Sequence, residues 1–491
     1  MTALDIAAIS AYFAGITAMG LFFYKRAKTT EGFTEASGRL SGLVVGISIF
    51  GTYLSSITFL AIPGKAYTGN WNAFAFSLSL PFAAYTAARW FTPLYRSMTD
   101  VSAYAYLERR FGLWARLYAM TCYVLTQQAR MGTILFLVAL ALERLTGWDI
   151  SAVIIFTGVS VIAYCAVGGI EAVIWTDVAQ SVILTLGAMV SAAALLLKMP
   201  EGPGQLFEIA GANSKFSMGP YNFSFLTSTF WTALLYGVFI NMQNFGIDQS
   251  YVQRYKAARS LDEAKKSVWL GALLYAPVSA IFLFIGTGLF AFYSVEPSRL
   301  PLELAAQGDR VFPHFMITEL PSGVTGLVVA ALLAAAMSTI STSLNSSASV
   351  LLSDVALRLF KPDMTEAGKL FFLRAATVVL GVAGTGIALL MISIKTALDM
   401  WWNLAGIFSG GMLGLFLLGI LSKKASSTGA AVGTVAGIIV IAWSVFSKSH
   451  GAWWSNPLDP LVTIMTGTLT IFIVGMALRM FSVAGEERSD G

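Results

Sequence analysis

The chain has 491 residues, 56% of them hydrophobic and 12% charged, with a formal charge of +5. A soluble domain carries about 25% charged residues, so a water-soluble globular fold is excluded, and apolar runs of about 20 residues recur along the whole length. Two cysteines, Cys122 and Cys165, lie inside apolar runs, which rules out a disulfide framework or a metal-binding cysteine spacing.

Taken in chain order, the pattern predicts thirteen membrane spans, at 5–24, 42–62, 72–95, 117–143, 148–168, 175–197, 226–250, 267–293, 322–356, 370–393, 399–421, 428–447 and 458–479. No basic residue precedes the first span, and Lys25, Arg26 and Lys28 follow it. That order predicts a retained helix with its N-terminus outside rather than a cleaved signal peptide. With the N-terminus outside, 22 of the 31 Lys and Arg fall in inner segments and 8 in outer ones. The bias of basic residues toward the cytoplasmic side sets topology, so the net charge orients helices and gives nucleic-acid binding no support.

The remaining basic residue is Arg130, in the middle of a span, where a charge costs at least ~2.5–3.5 kcal/mol unless paired or hydrated. It is a candidate site residue for that reason. Outer loops at 198–225 and 294–321 are rich in Gly, Pro and Ser, and neither reads as a separate domain. His314 and His450 fall in connecting segments without acidic or cysteine neighbours. The tail GEERSDG reads as disordered.

With the first span set aside (1–41, with the loop after it), the next ten divide into two sets of five: 42–197 and 226–421, joined by the loop 198–225 and followed by two C-terminal helices and the tail at 422–491. An odd number per set forces opposite membrane orientation. Inverted repeats of this kind are a transporter architecture, with sites at the midplane in discontinuous helices. The first helix of each set should carry the break. GISIFGTYLSSITFLAIPG has Gly51, Ser55, Ser56, Thr58 and Pro63, and TALLYGVFINMQNFGIDQSYVQRY has Gly237, Asn241, Gln243, Asn244 and Gly246. Polar residues flanked by Gly at midplane depth suit a locally unwound helix, whereas Gly and Ser alone also serve close helix packing.

The ninth span holds eight hydroxyls and one amide between Ser338 and Ser349. At helical spacing, the carbonyl of Ala335 groups with Ser338 and Thr339, and Ser338 groups with Ser341 and Thr342. Such oxygens suit hard cations, and few formal charges favour a monovalent ion, with sodium the natural candidate. Carbonyls from an unwound helix, here Gly51–Leu54, would complete the coordination. Serines in membrane helices also bond back to their own backbone, and close packing is the expectation for Ser346, Ser347 and Ser349. Asp177, at the start of the sixth span beyond Glu171, is either an interfacial carboxylate or a charged cation ligand.

GTYLSSITFLAIPGKAYTGNW, SAYAYLERRF, GGIEAVIWTDVAQ, DQSYVQRY and AAAMSTISTSLNSSASVLLSD resemble the sodium:solute symporter family. Within it the chain is most similar to the bacterial sialic acid symporters, through LSSITF, GGIE-VIWTD and the arginine at 130. The resemblance implies an all-α membrane fold of the LeuT type, a five-plus-five inverted repeat with extra helices and the C-terminus cytoplasmic. It implies a main sodium site on the carbonyls of Gly51, Leu54 and Ala335 with the hydroxyls of Ser338 and Thr339. A second sodium would use Asp177, Ser338, Ser341 and Thr342.

Solute would be met by Arg130 with Ser55 and Thr58, with Tyr53, Ser56, Ala73, Ser77, Asn241, Gln243 and Asn244 also expected around it. The sialic acid subset has Thr in place of Tyr53, an aromatic near Ala73 and Gln near Ser77. The expected function is therefore sodium-driven import of an acidic sugar such as sialic acid, with neutral sugars and short carboxylates as alternatives. One or two sodium ions, a monomer in the lipid bilayer of the inner (plasma) membrane and no enzymatic activity complete the expectation. A membrane enzyme would need a nucleophile and base, or a metal cluster, at the midplane, and a channel or non-transporting solute sensor would keep the sites without coupled movement.

Overall fold

The computed structural model describes residues 2–393, 410–447 and 454–489, with backbone alone at 24–25, 144–146 and 479–489. Among the described residues there are helices and no strands. The opening helix α1 (Ala3–Phe22) starts with a capping box in which Thr2 and Asp5 satisfy each other's backbone N–H. The Asp5 carboxylate also accepts the N–H groups of Gly323 and Gly326 at 2.8 and 2.9 Å. A negative charge at the start of the later helix answers its free N–H groups and positive dipole end.

Next come α2 (Gly42–Tyr53) and α3 (Ser56–Thr68), which meet at an angle of 57°. The predicted span 72–95 is a helical stretch, α4 (71–96), assembled from short α, 310 and π turns. Beyond it lie α5 (Leu113–Thr146) and α6 (Ile150–Leu197). The latter joins two predicted spans through a kink at Gly169, with φ 61° and ψ −165°, a backbone region open essentially to glycine alone. A Cβ there would also sit 2.9 Å from the Cα of Phe33.

In the second half, α7 (Phe230–Ile247) is followed after one residue by α8 (Gln249–Ala257), and then by α9 (Leu261–Val295). The hydroxyl-rich helix α10 (Val324–Leu351) runs on as a π-helical turn to Phe360. After it come α11 (Glu366–Met391), α12 (Gly410–Leu421), α13 (Ser427–Phe446) and α14 (Thr463–Ser489).

Eight helices among the described residues are long and apolar enough to cross a membrane, or nine with the bent pair α2–α3. The thirteen expected spans exceed that number for local reasons. Two spans fuse through Gly169, one is broken into the short turns of α4, the span at 226–250 ends as a helix at Ile247 and is too polar to count, and 399–409 lies outside the described residues.

The centre of the molecule is α10, where every residue from Val328 to Val350 is buried. A helix buried all round can present polar side chains only to other helices, so its hydroxyls have to find partners inside the protein. Its far end is held by ions: Arg116 on α5 lies 2.6 Å from Asp354 and 2.8 Å from Glu108, which also pairs with Arg358 at 2.6 Å. Glycines bring α9 against the broken helix, since a Cβ on Gly286 would run into the carbonyl oxygen of Pro63.

Candidate ion and solute site

The first break follows from local chemistry. The α2 helix ends at Tyr53, and Leu54 and Ser55 are extended, with ψ of 119° and 169°. Ser55 caps α3 by accepting the N–H of Thr58 at 3.4 Å. Ending a helix frees its last carbonyls, and one of them belongs to Gly51. That carbonyl accepts the hydroxyl of Ser338 from α10 at 3.3 Å. The same hydroxyl lies 3.3 Å from the carbonyl of Ala335, and Thr339 reaches that carbonyl at 3.2 Å. Four of the five residues expected for the main cation site thus form one cluster, and the fifth, Leu54, is the residue at the break itself. Their donor set is neutral oxygen throughout, which fits a monovalent hard cation.

Asp177 is completely buried on α6, so it is not an interfacial carboxylate. Its Oδ2 accepts Ser48 at 2.7 Å, Thr52 at 3.4 Å and the Arg254 guanidinium at 2.7 Å. Arg254 donates from the same nitrogen to Thr342 Oγ1 at 2.7 Å. Ser341 bonds back to the carbonyl of Ser338 at 3.0 Å. Sequence reasoning misses Arg254, which follows the predicted span 226–250 and so counts with the 22 basic residues of the inner segments. It is instead fully buried on α8. The available signal was its setting in DQSYVQRY, close behind the polar end of an apolar run.

The second break also differs from expectation. It falls at Asp248 (φ −72°, ψ 123°), one residue beyond the α7 helix that contains Gly237 and Gly246. Gly237 serves close packing, because a Cβ there would lie 2.8 Å from the carbonyl oxygen of Phe76. Gly246 passes the ring of Phe91, and its carbonyl accepts the hydroxyl of Tyr95 at 2.8 Å.

Asp248 caps α8 through the N–H of Ser250 at 2.8 Å. It also receives Tyr123 at 3.3 Å and Gln127 at 3.4 Å. Tyr123, Gln127 and Arg130 are spaced i, i+4 and i+7 on α5, one face of the helix. Arg130 lies in the neighbourhood of Asp248, Tyr123 and Tyr251. No hydrogen bond joins it to Ser55 or Thr58. Gln127 accepts the hydroxyl of Ser343 at 2.7 Å, and Tyr123 donates to Ser346 at 2.7 Å. Gln253 donates to Ser349 at 2.8 Å. Ser346 and Ser349, expected only to pack, are therefore hydrogen-bonded links between α10 and its neighbours, while Ser347 Oγ has no partner among the described residues.

Several expected solute contacts gather beside the first break. The hydroxyl of Tyr53 donates to Asn241, and its ring stands edge-on to Tyr275 with centroids 4.5 Å apart. Asn241 donates to Ser79 at 2.8 Å, and Ser77 to Ser279 at 3.0 Å. Asn244 lies near Tyr53, and Tyr275 faces Thr58. Ser56 is buried with its hydroxyl unpartnered, as is Gln243 Oε1 among the described residues. Ala73 ends the turn at the start of α4 and is partly buried.

Residues 33–437 match the model of the sodium:solute symporter family. The chain belongs to that family. It is 34% identical to a sodium/sialic acid symporter of Proteus mirabilis over 95% of this chain and 94% of that protein. A solved structure of a Na+-coupled sialic acid symporter, substrate-bound and outward-open with a novel Na+ site, superposes with a TM-score of 0.91. It is 32% identical and covers 98% of both chains. A nucleobase-cation-symport-1 family transporter, closed around bromovinylhydantoin, shares the fold at a TM-score of 0.58, with 18% identity and 92% and 95% of the two chains covered. In this family member the oxygen cluster of Gly51, Ala335, Ser338 and Thr339 joins the broken helix to the most deeply buried one.

Proposed function

We propose that the chain is a sodium-coupled symporter that imports an acidic sugar, sialic acid, across the inner (plasma) membrane. The observation that carries this reading is the bridge from Ser338 on α10 to the freed carbonyl of Gly51 at the helix break. An ion seated among Gly51, Leu54, Ala335, Ser338 and Thr339 would hold the two elements together and fix the break beside which solute binds. The names of the full-length relatives support the choice of solute.

In the proposed cycle, external sodium fills this cluster and favours the outward-open form. Solute then binds beside Ser55 and Thr58, with Arg130 answering its carboxylate. Movement of one helix set against the other releases both inside. Coupling requires only that sodium and solute bind better together than apart, and it is reciprocal. Each sodium entering against an inside-negative potential adds about 2.3 kcal/mol per 100 mV.

A second sodium would use Asp177, Ser338, Ser341 and Thr342. Two breaks, at Leu54–Ser55 and Asp248, each near the start of its set, support the inverted repeat of 42–197 and 226–421. Thirteen spans, an outside N-terminus, a cytoplasmic C-terminus and a monomeric carrier belong to the same proposal. Thermal unfolding of the purified protein tests the choice of solute. Sialic acid should raise the melting temperature in sodium buffer and not in choline buffer, because a ligand of the folded state stabilises it. Stabilisation by a neutral sugar or a short carboxylate with no response to sialic acid would overturn that choice.

A further inference from the structure

Arg254 is among the largest fully buried side chains of the protein. One of its nitrogens is directed at the place where the second sodium is proposed. Nη2 donates to Asp177 Oδ2 and to Thr342 Oγ1, both at 2.7 Å. Nε donates to Ser48 Oγ at 2.9 Å, and Nη1 to the carbonyl of Ser250 at 2.7 Å. One nitrogen therefore stands between two of the four residues expected to hold the ion. The other carboxylate oxygen, Asp177 Oδ1, is buried and has no hydrogen-bond donor among the described residues.

The three groups sit on different elements: Asp177 on α6, Thr342 on α10 and Arg254 on α8. The short helix α8 begins at the Asp248 break and ends at extended Ala258. That helix is buried throughout and tied to its neighbours, so the guanidinium would withdraw by a change of rotamer along its long flexible stem.

We propose that Arg254 is a tethered cation, so that its guanidinium and a sodium ion are alternative counter-charges for Asp177. Sodium enters on the unpartnered Oδ1 and takes Thr342 as the guanidinium withdraws, and the guanidinium returns when sodium leaves. This rests on the proposed second sodium site. Two cations on one buried carboxylate repel each other, so they bind in competition. A buried carboxylate with no counter-charge is costly, and a carrier that returns unloaded would otherwise bear that cost. Arg254 would remove it and so speed the return step.

Proteoliposomes separate the two halves of the cycle. Net uptake needs the unloaded carrier to return, and exchange of internal for external solute does not. Arg254→Gln should lower the ratio of net uptake to exchange at least about tenfold, and should lower the sodium concentration for half-saturation of exchange. Arg254→Lys, which keeps a cation but loses the planar fork, should lower the ratio less and still shift half-saturation. Equal loss of both modes in Arg254→Gln, with sodium half-saturation unmoved, would overturn the proposal.

If Arg254→Gln does not fold, Arg254→Lys decides, because a purely structural ion pair would leave its sodium half-saturation at the wild-type value. The underlying site is tested separately by the sodium Hill coefficient of Asp177→Asn. A lowered coefficient there, with an unchanged ratio in Arg254→Gln, would remove the tether and leave the site standing.

Discussion

The hydroxyl of Ser338 lies 3.3 Å from the carbonyl oxygen of Gly51, across the gap between the buried helix α10 and the end of α2. One residue supplies the side-chain oxygen and the other a main-chain oxygen that its own helix no longer uses. A cation between them would bind both elements at once, and its loss would free them.

Thr339 shares the Ala335 carbonyl with Ser338. Thr339→Ala is expected to raise the sodium concentration for half-maximal uptake by roughly tenfold, the equivalent of one lost oxygen contact of about 1–1.5 kcal/mol. Solute-dependence curves at saturating sodium should change little. An unchanged sodium requirement would take Thr339 out of the ion site.

Asp177→Asn removes the charge at the second cluster while keeping a side chain of the same shape. The sodium Hill coefficient of uptake should fall to about one if two ions are coupled in the wild type. The change also leaves the Arg254 guanidinium buried without its carboxylate, which costs about 3–5 kcal/mol. A lower melting temperature should therefore accompany the kinetic effect. A wild-type Hill coefficient would contradict the second ion.

The sequence carried more of the first half of the site than of the second. Gly51, Leu54 and the hydroxyl belt were legible because polar residues in an apolar run have few uses. Asp248 and Arg254 were not, because both lie at the end of a predicted span, where charges read as a solvated loop. Burial of α8 is a tertiary fact: α10, α6 and α2 close around it, and no local pattern announces that. The second break was misplaced toward Gly237 and Gly246 for a related reason. Glycine in a membrane helix signals close approach as readily as unwinding, and here Phe76 and Phe91 supply the approach. The solute pocket was legible only as a set of polar residues. The pairing of Tyr53 with Asn241 depends on how two broken helices face each other.

Arg130 shares one face of α5 with Tyr123 and Gln127, both of which donate to Asp248 at the second break. Arg130→Ala should abolish uptake of anionic solutes while sodium-dependent thermal stabilisation persists. Flux measurements with labelled acidic and neutral sugars check this. Normal uptake of the acidic sugar would place Arg130 outside the solute pocket.

Gly286 lies against the main chain of Pro63, which has no flexible end to move aside. Gly286→Ala should cost about 1–3 kcal/mol through overpacking between α9 and α3. A fall in melting temperature in detergent would report it. Wild-type stability would mean that the two helices separate more easily than their packing implies.

The central claim is that a sodium gradient drives solute uphill through this protein. Purified protein in liposomes, given labelled sialic acid at equal concentrations on both sides, tests it most directly. An inward sodium gradient should produce transient accumulation inside, and potassium or choline in its place should produce none. Accumulation that is the same without sodium, or mere equilibration with it, would contradict symport.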